Sequence, residues 1–430
     1  MEGLLIGAVT ILALWVGVPI AFTILLVSFL LIATDPFVNL GAVSAIFVQG
    51  IDSFILLAIP LFVLVGVIMN AGGITQRLLD LAVALVGHFR AGLAHVNIVS
   101  SMIFAGMSGT STSDVAGLGR IQIPMMIKEG YSPEIAAVVT AVSATIGPII
   151  PPSVPFILYG ALTSTSIGKL FLGGFIPGIM LGLWLMAVIW LQARTGKIAS
   201  ARFALGRPRI SEILLAVRRS AWALLTPITL LGGIITGYFT PTESAGVALV
   251  WSIFITRFVY RSVSFRSLFA MFCEAAEYVG VIMIIVAAAN VFGWLITQAG
   301  VSDMILGLVR SAGQGPLMTL ILLNLVLLVL GMFVEATSMI ILLSPILLPL
   351  VKYTGVDPVH FGVVFVLNIM IATITPPIGI CGLIASDIAG VSMQGFTRVV
   401  IPYVLAMIAF LFLVLLVPAL VTFLPNLVFS

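Results

Sequence analysis

The sequence predicts an all-α polytopic membrane protein built from two inverted repeats, and three observations carry this prediction. The chain of 430 residues is 61% hydrophobic and only 8% charged, whereas a soluble domain carries roughly a quarter charged residues. Its mean hydropathy is +1.31. An offset of 225 residues also places Gly106 and Met107 on Gly331 and Met332. The chain is therefore a duplicated membrane unit, with room for about ten spans of roughly 20 residues each.

The prolines show that the duplication includes the breaks in helical structure. Five of the seven prolines between residues 106 and 178 have a proline at the same offset, where chance would match fewer than one. The pairs are Pro124 and Pro349, Pro133 and Pro358, Pro151 and Pro376, Pro152 and Pro377, and Pro177 and Pro402. Apolar segments that Gly or Pro interrupts at corresponding places in two halves indicate the binding site of a secondary transporter.

Basic residues indicate which loops face the cytoplasm. Seven of the 18 Lys and Arg residues lie between Arg194 and Arg219, and three more lie between 257 and 266. By the positive-inside rule both stretches are cytoplasmic. The apolar runs 220–238 and 241–258 then cross outward and back, joined at Thr240–Glu243 by a capping box with Pro at the first helical position. Since the net charge of +3 lies at these membrane edges, it does not indicate nucleic-acid binding.

The terminal and surface segments are less regular. Residues 1–34 form either two short spans, broken at Gly17-Val18-Pro19, or one kinked helix. Segments 74–88 and 301–312 are charged but helix-periodic, so they are predicted to be amphipathic arms along the membrane surface.

Two hairpins occupy corresponding places in the halves. Residues 92–128 and 316–351 are each apolar, then polar, then apolar again, with arms near 15 residues. Because such arms are too short to span the bilayer, we expect re-entrant hairpins with polar tips near the midplane. Five predicted crossings separate them: 132–168, 170–192, 220–238, 241–258 and 268–298. An odd number of crossings puts the hairpins on opposite sides, so the repeats are inverted.

Behind each hairpin lies a long apolar helix that is broken near its middle, at Gly147–Ser153 in the first half and at Thr373–Gly379 in the second. Proline removes amide donors and frees backbone carbonyls. Free carbonyls, Ser and Thr hydroxyls and a carboxylate are oxygen ligands that a dehydrated Na⁺ could use. A helix N-terminus at a break would also favour a substrate carboxylate, and a helix C-terminus there would favour a cation.

The first tip, Ser108–Asp114, supplies five hydroxyls and one carboxylate in seven residues. A polar turn with Ser and Asp as helix caps is the alternative interpretation. Duplication and membrane depth favour ion or substrate binding, because intramembrane carboxylates are costly and usually functional. Glu335 occupies the position of Thr110 and Met339 that of Asp114, so the two sites differ chemically.

The candidate ligands follow from the tips and breaks. The candidate cation ligands are Ser108, Ser111, Ser113, Asp114, Gly147 and Pro151 at the first site and Thr337, Ser338, Thr373, Thr375 and Gly379 at the second. The candidate substrate contacts are Ser108, Thr110, Ser153, Glu335 and Asn368. For Asn368, a hydrogen bond between helices is an equally good interpretation, and it is the better one for Asn97, Asn290 and Asn324.

These residues resemble the large membrane subunit of tripartite ATP-independent periplasmic (TRAP) transporters along essentially the whole chain. The strongest motifs are Ser108–Asp114, Gly130-Tyr131, Gly147–Ser153, Thr240–Glu243 and Thr375-Pro376-Pro377. The resemblance implies a bacterial inner-membrane elevator, in which a transport domain slides against a scaffold surrounded by membrane lipid. It also implies Na⁺ coupling, a small four-helix membrane subunit, and a periplasmic binding protein that delivers an organic acid anion.

The domain organisation combines this resemblance with the repeats. Residues 92–168 and 316–385 would form the transport domain. The scaffold would comprise residues 1–91, with the first arm, and 169–315, with the basic loop and the second arm. A C-terminal helix would occupy 386–430.

Other classes are weaker. The chain lacks the Gly-x-x-x-x-Gly-Lys-Ser/Thr motif that cradles nucleotide phosphates, which argues against ATP-driven transport. An intramembrane hydrolase would need a base beside its nucleophile, and the tip has no His or Lys. A self-sufficient Na⁺/carboxylate symporter of similar architecture stays open as an alternative. Dicarboxylates, sugar acids, keto acids and sialic acid fit the sequence equally well.

Overall fold

The computed structural model describes residues 16, 18, 20–34, 39–196, 198, 208–300, 304, 306–307, 311 and 315–429. Within these residues the fold is all-helical, and no strand occurs. The α-helices are α1 (Ile20–Thr34), α2 (Leu40–Gln49), α3 (Ala58–Ala71), α4 (Ile74–Val86), α5 (Gly92–Ser108), α6 (Ser111–Lys128), α7 (Pro133–Ala144), α8 (Val154–Thr163), α9 (Ile167–Arg194), α10 (Ile210–Ile235), α11 (Pro241–Phe254), α12 (Phe265–Gln298), α13 (Pro316–Gly331), α14 (Ala336–Thr354), α15 (Pro358–Ala372), α16 (Ile380–Ala389), α17 (Met393–Leu416) and α18 (Ala419–Val428). A 3₁₀ turn (Phe54–Leu57) precedes α3, and a π-helical turn (Ile255–Val259) extends α11.

The helix order confirms that the sequence repeat is a structural repeat. Each helix from α5 to α9 has a counterpart from α13 to α17 that begins within one residue of the 225-residue offset. In both halves the order is hairpin, broken helix and long helix. The peptide bonds Pro151-Pro152 and Pro376-Pro377 are both cis.

The two hairpins form as predicted, but their arms are longer. They contain 17 and 18 residues in α5 and α6, and 16 and 19 in α13 and α14. The reason is that the polar tips are themselves partly helical: α5 continues to Ser108, α6 begins at Ser111 and α14 begins at Ala336. Helix α14 is long and apolar enough to cross a membrane, so the prediction that every arm is too short to span is wrong. Re-entry therefore stays a prediction.

Both broken helices are confirmed, and local chemistry explains where their parts begin. Pro133 and Pro358 occupy the first turn of α7 and α15. Proline is tolerated there because an N–H in the first turn has no partner within the helix. Ser153 begins α8, because its hydroxyl accepts the N–H of Phe156 at 3.2 Å. Gly379 precedes α16 in the left-handed conformation (φ 46°), which suits a residue without a Cβ.

The two halves interlock. Helix α14 of the second hairpin packs against α8, and α16 of the second broken helix packs against α6 and α7 of the first half. The long helix α12 instead packs against α1, α2 and α3, while α10 packs against α4 and α11. Helix α12 also contacts α14, so it connects the outer helices with the second hairpin.

Two boundaries differ from the sequence prediction. Helix α10 begins at Ile210, ten residues before the apolar run, because Glu212 caps the Arg209 N–H at 3.0 Å and the charged turns remain helical. Residues 386–430 contain α17 and α18 instead of one helix, with the interruption at Val417-Pro418. The first arm is helical as predicted and forms α4, and its position along the membrane surface stays a prediction. The second arm lies almost entirely outside the described residues, as does the segment that precedes α1.

Candidate functional site

A narrow cavity lies where the two tips and the two breaks meet. Thr110, Ser111 and Thr112 of the first tip line it opposite Glu335 and Thr337 of the second. Pro148 and Thr373 contribute the two breaks. The space open to a water-sized molecule is only about 20 Å³, roughly enough for a single water. The two tips and the two breaks, which the repeat relates in pairs, therefore meet at this cavity.

The first tip is fastened to the first break through its backbone. Helix α5 ends at Gly109, which is left-handed (φ 66°), and its carbonyl accepts the N–H of Val154 at 3.3 Å. A Cβ on Gly109 would lie 2.8 Å from the Pro152 carbonyl oxygen. Because only glycine fits both the conformation and this close approach, the position of the tip relative to the break is fixed by Gly109.

Asp114 lies in the first turn of α6 and is fully buried. Neither carboxylate oxygen has a hydrogen-bond partner among the residues the structure describes, and the same holds for the Ser108 and Thr110 hydroxyls. The Ser108 hydroxyl faces the carboxylate without reaching hydrogen-bond geometry. A Cβ on Gly147 would overlap Asp114 Oδ2. Tip hydroxyls, a carboxylate and the first break thus surround one point.

This donor set fits a Na⁺ ion. An isolated buried carboxylate is costly unless a cation or proton neutralises it. Oxygen atoms from hydroxyls, carbonyls and a carboxylate match a hard cation. Ser108, Asp114 and the backbone around Gly147 are the groups that would hold the ion.

The second break has a different chemistry. A Cβ on Gly379 would lie 3.0 Å from the Thr375 carbonyl oxygen and 3.2 Å from that of Thr373, so both carbonyls point towards this glycine. The hydroxyls of Thr373 and Thr375 each donate within their own helix at 2.7 Å, to Met370 and Ile371. Their oxygens keep lone pairs for a cation, but this break has no counterpart of the Asp114 carboxylate.

Glu335 binds its own helix. Its carboxylate accepts the N–H of Ser338 at 2.9 Å and the Ser338 hydroxyl at 3.2 Å, so it is the N-cap of α14. Glu335 also lines the cavity. The same residue therefore caps the helix of the second tip and lines the cavity.

Three predicted substrate contacts do not line the narrow cavity: Ser108, which lines a wider cleft beside it, Ser153 and Asn368. Ser153 donates to the Pro148 carbonyl at 2.5 Å and caps α8. Asn368 donates to the carbonyl and the side-chain oxygen of Asn324, both at 2.8 Å, and so joins α15 to α13. Both side chains are fully buried. Their observed contacts are structural, and for Asn368 they agree with the hydrogen-bond interpretation.

The remaining candidates lie at or near the tips. Thr110 and Ser111 line the narrow cavity, whereas Ser108, Thr110 and Ser113 line a wider cleft beside it. Of the single asparagines, Asn97 bonds between helices as predicted, to Thr140 at 2.7 Å. Asn290 instead donates to Val286 of its own helix.

Tyr278 of α12 is a site residue that the sequence does not predict. This residue lines the narrow cavity and also the wider cleft, and its hydroxyl is near Thr112 and Thr337, one from each tip. A lone tyrosine beside Glu277 in an apolar helix was the available signal. Its contact with the tips depends on how α12 crosses both halves, which no local pattern reveals.

The wider cleft measures about 790 Å³ and lies between α3, α5, α6 and α12. Asn70, Arg120, Glu274 and Glu277 give it a polar wall. Glu274 and Glu277 are exposed. The cleft reaches the first tip at Ser108, Thr110 and Ser113.

Comparisons with known proteins agree with this architecture. Residues 7–420 match the family described as "Tripartite ATP-independent periplasmic transporter, DctM component". The chain is 37% identical over 418 residues to the sialic acid TRAP transporter large permease protein SiaM of Vibrio cholerae, covering 96% of each chain. It is 38% identical over 419 residues to the 2,3-diketo-L-gulonate TRAP transporter large permease protein YiaN of Escherichia coli, covering 97% of this chain and 96% of that one.

A longer relative and a solved structure are also similar to this chain. The sialic acid TRAP transporter permease protein SiaT of Haemophilus influenzae is 36% identical over 97% of this chain, which covers 67% of SiaT. The crystal structure of the Alcanivorax borkumensis YdaH transporter shares the fold, with a TM-score of 0.63 at 13% identity over 95% of this chain and 98% of that one. Within the described residues, seven helices are long and apolar enough to span a membrane, and the chain is a multi-pass protein of the inner membrane. It belongs to the DctM component family, the large permeases of the tripartite ATP-independent periplasmic transporters.

Proposed function

We propose that this chain carries an organic acid anion into the cell together with Na⁺, after a periplasmic binding protein has delivered the anion. The observation that carries the proposal is the buried Asp114 carboxylate, which has no hydrogen-bond partner among the described residues and lies against the first break at Gly147. A site of this kind favours a cation. Because Asp114 belongs to the tip that lines the central cavity, a cation bound there would be coupled to the substrate.

The substrate would bind at the central cavity between the tips. Thr110, Thr112 and Thr337 offer hydroxyls, and Tyr278 offers a phenol from the opposite wall. Hydroxyl donors and helix N-termini favour a carboxylate. The named substrates of the relatives are sialic acid and 2,3-diketo-L-gulonate, and a C4-dicarboxylate for the large permease DctM of Pseudomonas aeruginosa. All are organic acids, so the proposal extends to this class and no further.

Two protein partners complete the proposal: a small four-helix membrane subunit and a periplasmic binding protein. The extra third of SiaT that this chain does not match supports the first partner, because a fused permease would carry the small subunit in the same chain. The family description supports the second, since a tripartite periplasmic transporter requires a periplasmic component.

The motion would be an elevator. The interlocked contacts of α6 and α7 with α16, and of α8 with α14, support a transport domain that moves as one body. Tyr278 of α12 would stay with the scaffold, so each passage of the tips along α12 would change which side the cavity faces.

Reconstitution tests the proposal. In proteoliposomes that contain this chain and its membrane partner, an inward Na⁺ gradient should drive uptake only when the cognate binding protein is present outside. Replacing Na⁺ by K⁺ at equal ionic strength is the matched control. Uptake without binding protein would support the self-sufficient symporter, and uptake that ignores Na⁺ would remove the coupling.

A further inference from the structure

We propose that the groove between the arm helix α4 and helix α10 binds the headgroup of an anionic phospholipid, and we call it the α4–α10 groove. It consists of two adjoining cavities of about 630 and 360 Å³, which share Arg77, Asp80 and Arg219 in their walls. Neither cavity contains a residue of the tips or breaks, so the groove is separate from the candidate transport site.

The groove is built by specific contacts. The Ser220 hydroxyl donates to the Arg77 carbonyl at 3.0 Å and joins α10 to α4. The Tyr260 hydroxyl donates to the Arg219 carbonyl at 3.3 Å. The Arg77 guanidinium lies 3.8 Å from the centre of the Tyr260 ring and also donates to the Gly73 carbonyl at 3.2 Å. This stacking orients one cation of the wall before any ligand arrives.

The charge of the larger cavity is positive. Arg77, Arg218 and Arg219 face one carboxylate there, that of Asp80, and Asp80 accepts from Gln76 at 3.1 Å. The smaller cavity adds the carboxylate of Glu212, which accepts the Arg209 N–H at 3.0 Å, so the described walls of the whole groove hold three guanidinium groups and two carboxylates. In the part of the chain that the structure describes, neither Arg218 nor Arg219 has a carboxylate within ion-pair distance. Guanidinium groups bind phosphate oxygens with paired N–H donors, so the wall suits a phosphodiester.

The surroundings indicate a lipid rather than a soluble anion. Val83, Ala84 and Leu215 form an apolar wall of the smaller cavity, where acyl chains could continue from the headgroup. Trp222 lines the larger cavity and is 43% exposed, and Trp is typical of the membrane interface. Arg218 and Arg219 also belong to the basic stretch that sequence analysis assigns to the cytoplasmic edge, where anionic lipids attract basic segments.

Native mass spectrometry of the full chain tests this site. The delipidated protein is titrated with phosphatidylglycerol and, in parallel, with zwitterionic phosphatidylcholine. We expect a phosphatidylglycerol adduct that forms at lower lipid concentration than any phosphatidylcholine adduct. The double variant Arg218→Gln/Arg219→Gln should weaken that adduct about tenfold or more, since each charge-assisted contact to a phosphate is a strong one.

The matched control removes the same charge elsewhere. Lys128 and Arg266 are exposed and belong to neither cavity, so Lys128→Gln/Arg266→Gln should keep the adduct. Equal weakening in both double variants would show general electrostatic attraction and overturn the proposal. If the first double variant does not fold, Arg218→Gln alone decides, because the Arg218 side chain has no hydrogen bond to a described residue. An unchanged adduct in Arg218→Gln would then overturn the site.

A competition arm separates the lipid from a free anion. Millimolar inorganic phosphate or glycerol phosphate should leave the adduct in place, because neither contacts the apolar wall. Complete displacement by either one would show a simple anion site and contradict the assignment to a lipid. Since the readout is lipid binding, the result does not depend on Na⁺ coupling or on uptake.

Discussion

Single residues decide the chemistry of the first site. Asp114 is the buried carboxylate in the first turn of α6, and Gly147 is the position where any side chain would meet it. The tip hydroxyls of Ser108 and Thr110 have no partner among the described residues. A cation bound here would be coordinated by several of these oxygens at once. The two predictions for single residues therefore concern Na⁺.

Removing the carboxylate charge should weaken Na⁺ binding. Asp114→Asn keeps the shape but loses the charge, so we expect the Na⁺ concentration for half-maximal uptake to rise about tenfold or more, because charged contacts contribute roughly 1.5–3 kcal/mol. Uptake at increasing Na⁺ in reconstituted vesicles measures this. Asp387→Asn, at an exposed position of α16, is the control. Identical activation curves for Asp114→Asn and the wild type would exclude Asp114 as a ligand.

Adding a single methyl group at the break should have a similar effect without changing charge. Gly147→Ala places a Cβ on Asp114 Oδ2, so the carboxylate must move and Na⁺-dependent uptake should fall at least about tenfold. Gly246→Ala in α11 is the control, because nothing lies within 4 Å of its Cβ, and alanine there favours the helix by about 1 kcal/mol. Normal Na⁺ dependence in Gly147→Ala would show that the site tolerates a displaced carboxylate.

Residue-level prediction from sequence succeeded where the chemistry was local. Asp114 and the tip hydroxyls could be found because a carboxylate among apolar runs is rare and costly. Asn368 was less certain, since proximity to a break along the chain does not fix the direction of a side chain. Tyr278 could not be found, because its contact joins segments that are more than 50 residues apart.

At the level of elements, each half joins its hairpin to its broken helix by a buried polar bond at the same place. Ser143 of α7 donates to Asn97 of α5 at 2.7 Å, and Asn368 of α15 donates to Asn324 of α13 at 2.8 Å. Ser143 and Asn368 are related by the repeat offset. A polar bond between helices in a membrane is worth about 0.6–1.7 kcal/mol. Such bonds set how the breaks face the tips.

A double-mutant cycle tests the structural role of Asn368. We expect Asn368→Ala and Asn324→Ala each to lower the midpoint of thermal unfolding in detergent, and the double variant to cost less than the sum by about 0.5–1.5 kcal/mol. The substrate concentration for half-maximal uptake should stay unchanged, since neither residue lines the cavity. Additive effects, or a weakened substrate affinity without lost stability, would favour a ligand role instead.

Element boundaries followed the sequence where proline and capping chemistry set them. The Thr240 capping box predicts a helix start, and α11 begins there. The predicted start of α10 is ten residues too late, because the charged turns before the apolar run are also helical. The predicted hairpin arms are too short, because part of each polar tip is helical.

At the scale of the whole molecule, the interlocked halves pack against the outer helices at several places, including α4 against α5 and α12 against α14. One meeting point is Gly117 of α6, whose Cβ would lie 2.6 Å from Asn70 Nδ2 and 3.1 Å from Asn70 Cγ of α3. Another is Tyr278 of α12, between the tips. If the interlocked halves move as one body, the contact between Gly117 and Asn70 must break during transport.

Crosslinking tests this motion. After Cys273 and Cys381 are replaced, cysteines at positions 70 and 117 should form a disulfide, because a Cβ at position 117 would lie 3.1 Å from Asn70 Cγ, so the two side chains face each other. Oxidation should stop uptake and reductant should restore it. A pair at Gly119 and Thr140, which contact each other within the proposed moving body, should crosslink without loss of uptake. Full uptake with the 70–117 disulfide formed would refute the elevator.

The most direct test of the central claim is a simultaneous measurement of radiolabelled Na⁺ and radiolabelled substrate entering the same proteoliposomes, with the binding protein outside. The account predicts that substrate stimulates Na⁺ entry and that Asp114→Asn reduces both fluxes together. If at least two Na⁺ accompany a monoanion, an inside-negative potential should accelerate both, by about 2.3 kcal/mol per 100 mV for each net charge. Substrate entry with no substrate-dependent Na⁺ entry would contradict the account.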